Sequence, residues 1–188
     1  TIVTVGLLKP IHGRWSCIPL AFGFYLRRET LRRGCLRVRR KAVVFADKFA
    51  QAVALIARLG AFFGQVPVLV VTDSWFGNNG LFKPLRERLG QRVHLLSRLR
   101  VNAALFALAE PTPGKAGRPR KYGERLGNAA DLAATMRTQA QTYTLHVYGA
   151  LRAVVAAERV VMLKSLRCPV RVVWVYRKTQ WVALMTTD

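Results

Sequence analysis

The chain has 188 residues, of which 52% are hydrophobic, so it can bury one substantial core and wholesale disorder is excluded. Lys and Arg number 31 against 9 Asp and Glu, a net charge of +22 that favours a polyanion as partner, nucleic acid before an acidic membrane surface. The longest uncharged stretch, Leu59–Thr72, is broken by Gly60, Gly64, Gln65 and Pro67, which argues against a membrane span. Cys17, Cys35 and Cys168 are few and far apart. They imply no disulfide framework and fit a reducing cytoplasm, and His12, His94 and His146 do not join them in a zinc pattern. Both ends lie in or beside apolar runs, and the expectation is a piece of a longer chain.

The elements follow in order. Thr1–Leu8 reads as a strand, Pro10–Gly13 as a turn, and Trp15–Leu26 as a second, antiparallel strand. Arg27–Lys41 is a basic connection. From Phe45 to Leu59 the spacing becomes helical, with Phe45, Phe49, Ala52, Val53 and Ile56 on one face, Asp47 in the first turn, and Gly60 and Gly64 as the stop. Val68–Val71 is an unbroken apolar run, expected as a central strand flanked by the strands near Trp15–Leu26 and Arg92–Ser97. Asn78 is placed to cap a helix over Gly80–Leu89. This order suggests a sheet with helices on its faces.

Pro111–Arg125 is rich in Pro, Gly, Lys and Arg and reads as a mobile basic loop. Asn128–Thr138 reads as a short helix, and strands follow at Tyr143–Tyr148, Arg152–Leu163, Val170–Tyr176 and Trp181–Thr186. Trp15, Trp174 and Trp181 lie in strand segments and are expected in the core, whereas Trp75 either anchors its turn or stacks near DNA.

Asp73 is the leading candidate for chemistry. It stands just past the apolar strand, where functional groups of open α/β sheets collect, and Gly77-Asn78-Asn79-Gly80 lets the backbone turn after it. Position alone favours an Asp that bonds its own turn. A carboxylate there also suits a divalent cation.

Val70-Val71-Thr72-Asp73-Ser74-Trp75-Phe76-Gly77-Asn78 resembles the second-aspartate motif of the DDE transposases of bacterial insertion sequences. Arg14–Leu20 with Phe24-Tyr25 resembles the strand pair before that motif. Ser97-Arg98-Leu99-Arg100-Val101-Asn102 resembles the arginine-rich segment after the next strand, and Gly117–Gly123 the basic loop. Trp181–Asp188 resembles the strand ahead of the helix that carries the catalytic Glu.

The resemblance implies an α/β, RNase H-like mixed sheet with flanking helices and a β-rich insertion. Residues 1–110 would be a partial core, 111–127 the basic loop, and 128–188 the insertion and the strand that leads to the Glu helix. It implies two Mg²⁺ or Mn²⁺ ions held by two Asp and one Glu, and cleavage and strand transfer of transposon-end DNA. Asp73 is the one position that matches a ligand. The first Asp is expected on a strand before Thr1 and the Glu on a helix beyond Asp188, so these residues alone are expected to be inactive. Asp47, Glu124, Asp131, Glu158 and Asp188 lack the matching context.

DNA contacts are expected from Arg98, Arg100, Arg118, Arg120 and Lys121, because the planar guanidinium binds phosphate in two places. Gly117-Arg118-Pro119 is also similar to an arm that enters a narrow minor groove. The expected partners are transposon-end and target DNA, with a homodimer on the DNA, no membrane, and a place in the bacterial cytoplasm near the nucleoid. The rival readings are a non-catalytic nucleic-acid-binding module, including a decayed transposase, and a basic protein of an RNA particle.

Overall fold

A computed structural model describes residues 1–32, 36–38, 40–110, 120–147, 149–177 and 179–188. The chain opens with a hairpin, β1 (Ile2–Ile11) and β2 (Arg14–Phe24), paired antiparallel from Ile2↔Phe24 to Ile11↔Arg14. His12 and Gly13 form its turn with φ of 48° and 74°, the left-handed pair that a two-residue hairpin requires. Helix α1 (Arg28–Arg32) and the two-residue strands β3 (Arg37–Val38) and β4 (Lys41–Ala42) occupy the basic connection. Helix α2 (Lys48–Ala61) follows. Asp47 is its N-cap rather than part of its first turn: Oδ1 accepts from the Ala50 amide at 2.7 Å.

The stop of α2 also differs from expectation. Gly60 lies inside the helix, where it packs closely against Leu89: a Cβ would sit 2.9 Å from Leu89 Cδ1. The turn that follows is held by Arg92, whose guanidinium donates to the Val66 and Gly60 carbonyls at 2.9 Å each.

The main sheet has eight strands. Its order is β5 (Val68–Thr72), β6 (Val93–Arg98), β12 (Gln180–Thr186), β11 (Cys168–Arg177), β10 (Ala150–Leu163), β7 (Ala104–Phe106) and β8 (Arg125–Asn128), with β9 (Gln141–Val147) also paired to β10. Only β5 and β6 run parallel, joined by α3 (Asn79–Leu89) as the crossover; every other pair is antiparallel. The chain is therefore a mixed α/β structure, and β9 to β12 belong to the same sheet as β5 and β6.

The sheet has one well-buried face. Val70, Leu95, Ser97, Met185, Val172 and Trp174 lie on it in register, and all are buried with Leu81, Phe82 and Leu85 of α3 and with α4 (Ala129–Met136). Trp174 fixes α4 there by donating its indole N–H to the Ala129 carbonyl at 2.8 Å. The alternate residues of β5, Leu69 and Val71, are about half exposed. Helices thus cover one face among the described residues, not both.

Two further expectations are corrected. Val68–Val71 is a strand, but among the described residues it is an edge strand that pairs with β6 alone. The hairpin β1–β2 does not add to its other side. Its alternating small and apolar positions, with Val3 buried and Gly23 against Gln51 and Leu55, seat it on α2 instead. Trp15 is not in the core. It lies beside the hairpin tip and is 74% exposed, whereas Trp174 is fully buried and Trp181 half-buried.

Candidate metal and nucleic-acid site

Asp73 follows the last residue of β5, and the chain turns on its carboxylate. Oδ1 accepts from the amides of Trp75 at 2.9 Å and Phe76 at 3.1 Å, which closes an Asx turn. The Asp73 carbonyl accepts from the Gly77 amide at 3.1 Å and from Ser97 Oγ at 2.7 Å. Ser97 is the one buried polar residue among the described residues, and this bond locks the ends of β5 and β6 together. Gly77 is needed for the same reason: a Cβ there would fall on the Ser97 hydroxyl. Asn78 then caps α3, its Oδ1 accepting from the Gly80 amide at 2.8 Å.

The local turn thus uses one carboxylate oxygen and leaves the other. Asp73 is exposed, and Oδ2 accepts no hydrogen bond among the described residues. Arg98 stands one residue past the Thr72↔Ser97 pair on the neighbouring parallel strand, so both side chains lie at the same end of the sheet. Arg98 also borders two adjoining grooves of about 420 and 410 Å³, one with Arg137 and Trp181, the other with Arg177 and Gln180. Arg100 follows on the exposed loop.

Of the basic loop, residues 111–119 lie outside the described residues. Arg120 and Lys121 are exposed and lead into β8, at the opposite edge of the sheet from β5, with Tyr122 packed on Phe106 at 5.4 Å. Arg118, Lys115 and Cys35 lie outside the described residues.

Around the Asp73 turn the structure assembles a group that sequence spacing does not reveal. Trp75 stacks on Phe49 of α2 at 4.6 Å and 15°, and Phe76 meets both edge-on. Trp75 therefore anchors the turn. Lys48, the first residue of α2, holds its ammonium 5.4 Å from the rings of both Trp75 and Tyr25. Tyr25 meets Phe45 at 6.4 Å, and the Arg28 guanidinium lies 4.7 Å over Phe45. Spacing along the sequence does not say which cation meets which ring.

Four of the other acidic residues are engaged within the fold, whereas Glu124 is exposed and enters no ion pair among the described residues. Asp47 caps α2, Asp131 closes a capping box with Asn128, Glu158 pairs with Arg171, and Asp188 lies 3.5 Å from His94. No three His, Cys, Asp or Glu side chains converge among the described residues. Asp73 can therefore supply one ligand to a cation, and the described residues do not complete a two-ion site.

A family model described as "DDE superfamily endonuclease" matches residues 3–156. The chain belongs to that family. No curated protein and no solved structure matches it. Membership makes an endonuclease of the transposase-like type the class of activity, DNA the class of substrate and divalent metal the usual cofactor of the class. The matched span contains Asp73, Arg98, Arg100, Arg120 and Lys121, and ends within β10, before β11 and β12 begin. Among the described residues no helix is long and apolar enough to cross a membrane.

Proposed function

We propose that this DDE endonuclease chain is the core of an insertion-sequence transposase that cuts and joins transposon-end DNA, with Asp73 as one ligand of a two-ion Mg²⁺ or Mn²⁺ site. The supporting observation is the exposed carboxylate at the carboxyl end of β5, with one oxygen held by its turn and one left open. When bound, the ions would activate the attacking oxygen and stabilise the leaving one. The chain's own part is to fix Asp73 through the Trp75 and Phe76 amides and to present Arg98 beside it for a backbone phosphate. Arg100, Arg118, Arg120 and Lys121 add phosphate contacts along the flanking DNA.

The remaining carboxylates come from outside the described residues in this reading. The unpaired outer edge of β5 suits a strand that would place a second carboxylate beside Asp73 and extend the sheet in an RNase H-like manner. Residues 1–110 then form the partial core, 111–127 a DNA-facing loop and 128–188 the insertion. The transposase works as a dimer on DNA at the bacterial nucleoid. One observation favours a second reading, a non-catalytic DNA-binding module: the lone carboxylate at the site.

Nicking of supercoiled plasmid in Mg²⁺ or Mn²⁺ separates the two. The 188-residue chain should be inactive, and an in-frame extension at both ends should cleave. Asp73→Asn in the extended protein should abolish cleavage and retain DNA binding. Cleavage that survives Asp73→Asn removes Asp73 from the site, and an extended protein that binds DNA without cutting supports the module.

A further inference from the structure

Two cations, Lys48 beside the Asp73 turn and Arg28 in the basic connection, are held by aromatic rings and by no carboxylate. The ion pairs among the described residues are Lys83–Glu87, His94–Asp188 and Arg171–Glu158, and neither Arg28 nor Lys48 enters one. All nine acidic residues of the chain lie within the described part. Arg28 sits over Phe45, Phe45 meets Tyr25, and Lys48 bridges Tyr25 and Trp75. Trp75 is two residues from Asp73 and bonded to it through its amide. The rungs are 4.7 to 6.4 Å apart, so they form one continuous track from the basic connection to the Asp73 turn.

The chemistry of the track fits a nucleic-acid strand. Ring faces attract the cations and hold their long stems without neutralising the charge. Lys48 is half-buried and Arg28 exposed, so each charge is fixed on the rings yet open to an anion from solvent. Aromatic rings alternating with unpaired cations are the composition of surfaces that follow a DNA backbone. A purely structural lock between α2 and the turn would be served as well by an apolar residue in place of Lys48.

We propose that Arg28 and Lys48 bind phosphates of one DNA strand and lead it to Asp73. The proposal rests on the DNA-cleaving reading above and adds a binding track to it. The probe is a short duplex with a single-stranded 3′ tail, bound to the full chain across a salt titration. Lys48→Met and Arg28→Gln should each lower the slope of log K against log salt by about one unit, and Lys48→Arg should restore the wild-type slope. In the wild-type chain the same DNA should protect Lys48 from an amine-acylating reagent and leave Lys83 reactive. This second readout stands even where a variant fails to fold. Folded Lys48→Met and Arg28→Gln variants with the wild-type slope, or equal acylation of Lys48 with and without DNA, would overturn the track and leave the DNA-cleaving reading intact. A wild-type chain that does not bind the probe at all would overturn both.

Discussion

Asp73 holds its turn with one carboxylate oxygen, and that division of labour separates structure from chemistry at a single residue. Asparagine keeps an oxygen for the Trp75 and Phe76 amides, whereas alanine leaves both without it. Asp73→Ala should therefore lose about 1–2 kcal/mol and Asp73→Asn much less, measured by urea unfolding. Loss of cleavage in the asparagine variant at unchanged stability would then report on the charge alone. The cysteines give an independent check on burial. Cys17 is exposed, while Cys168 is half-buried and burial pushes its thiol upward, only partly offset by Arg86 and Lys121. A raised thiol holds less thiolate at neutral pH, so an alkylating reagent should label Cys17 well before Cys168, and Cys168 should catch up as the pH rises. Equal rates at neutral pH would show that Cys168 is not shielded.

At the scale of elements, the strands and helices were largely legible because their patterns are local. The Phe49–Ile56 spacing, the Val68–Val71 run and the Asn78 and Asn128 caps each specify an element through residues a few positions apart. What was not legible depends on pairing. The run Val68–Val71 reads as central because it is apolar throughout, yet the sheet gives it one neighbour and leaves Leu69 and Val71 half exposed. The short strands β7 and β8 carry no alternation long enough to read; β7 pairs on the edge of β10, and β8 pairs in turn on β7. The site divides the same way. Asp73 was visible from its place after a strand; the contacts of Ser97 and Lys48 with it or its turn are made by the fold. Trp174 tests the element packing directly. Trp174→Phe removes the indole bond to α4 and part of the core volume, and should cost about 2–3 kcal/mol with an unchanged denaturant slope.

For the whole molecule, the +22 charge should make DNA binding strongly salt-dependent. Neutralising Arg118, Arg120 and Lys121 together should flatten the slope of log K against log salt by roughly one unit for each phosphate that the loop no longer neutralises. An unchanged slope would remove the loop from the interface, and because Arg120 and Lys121 lie at the far edge of the sheet from Asp73, it would leave the Asp73 end untouched. The strand order carries one more consequence, for the time course of folding. β12, last along the chain, lies between β6 and β11, and Leu95 exchanges bonds with Thr187 beside it. The β5–β6 unit and the β10–β11 hairpin can each form early from nearby segments, but the sheet ladder between them is completed by residues 180–187 inserting between β6 and β11. On the ribosome that closure waits for the end of this segment to clear the exit tunnel, and β6 keeps an open edge until then. A chain stopped after Arg177 should arrest as two unjoined halves, with slow amide exchange confined to each half and no single cooperative unfolding step.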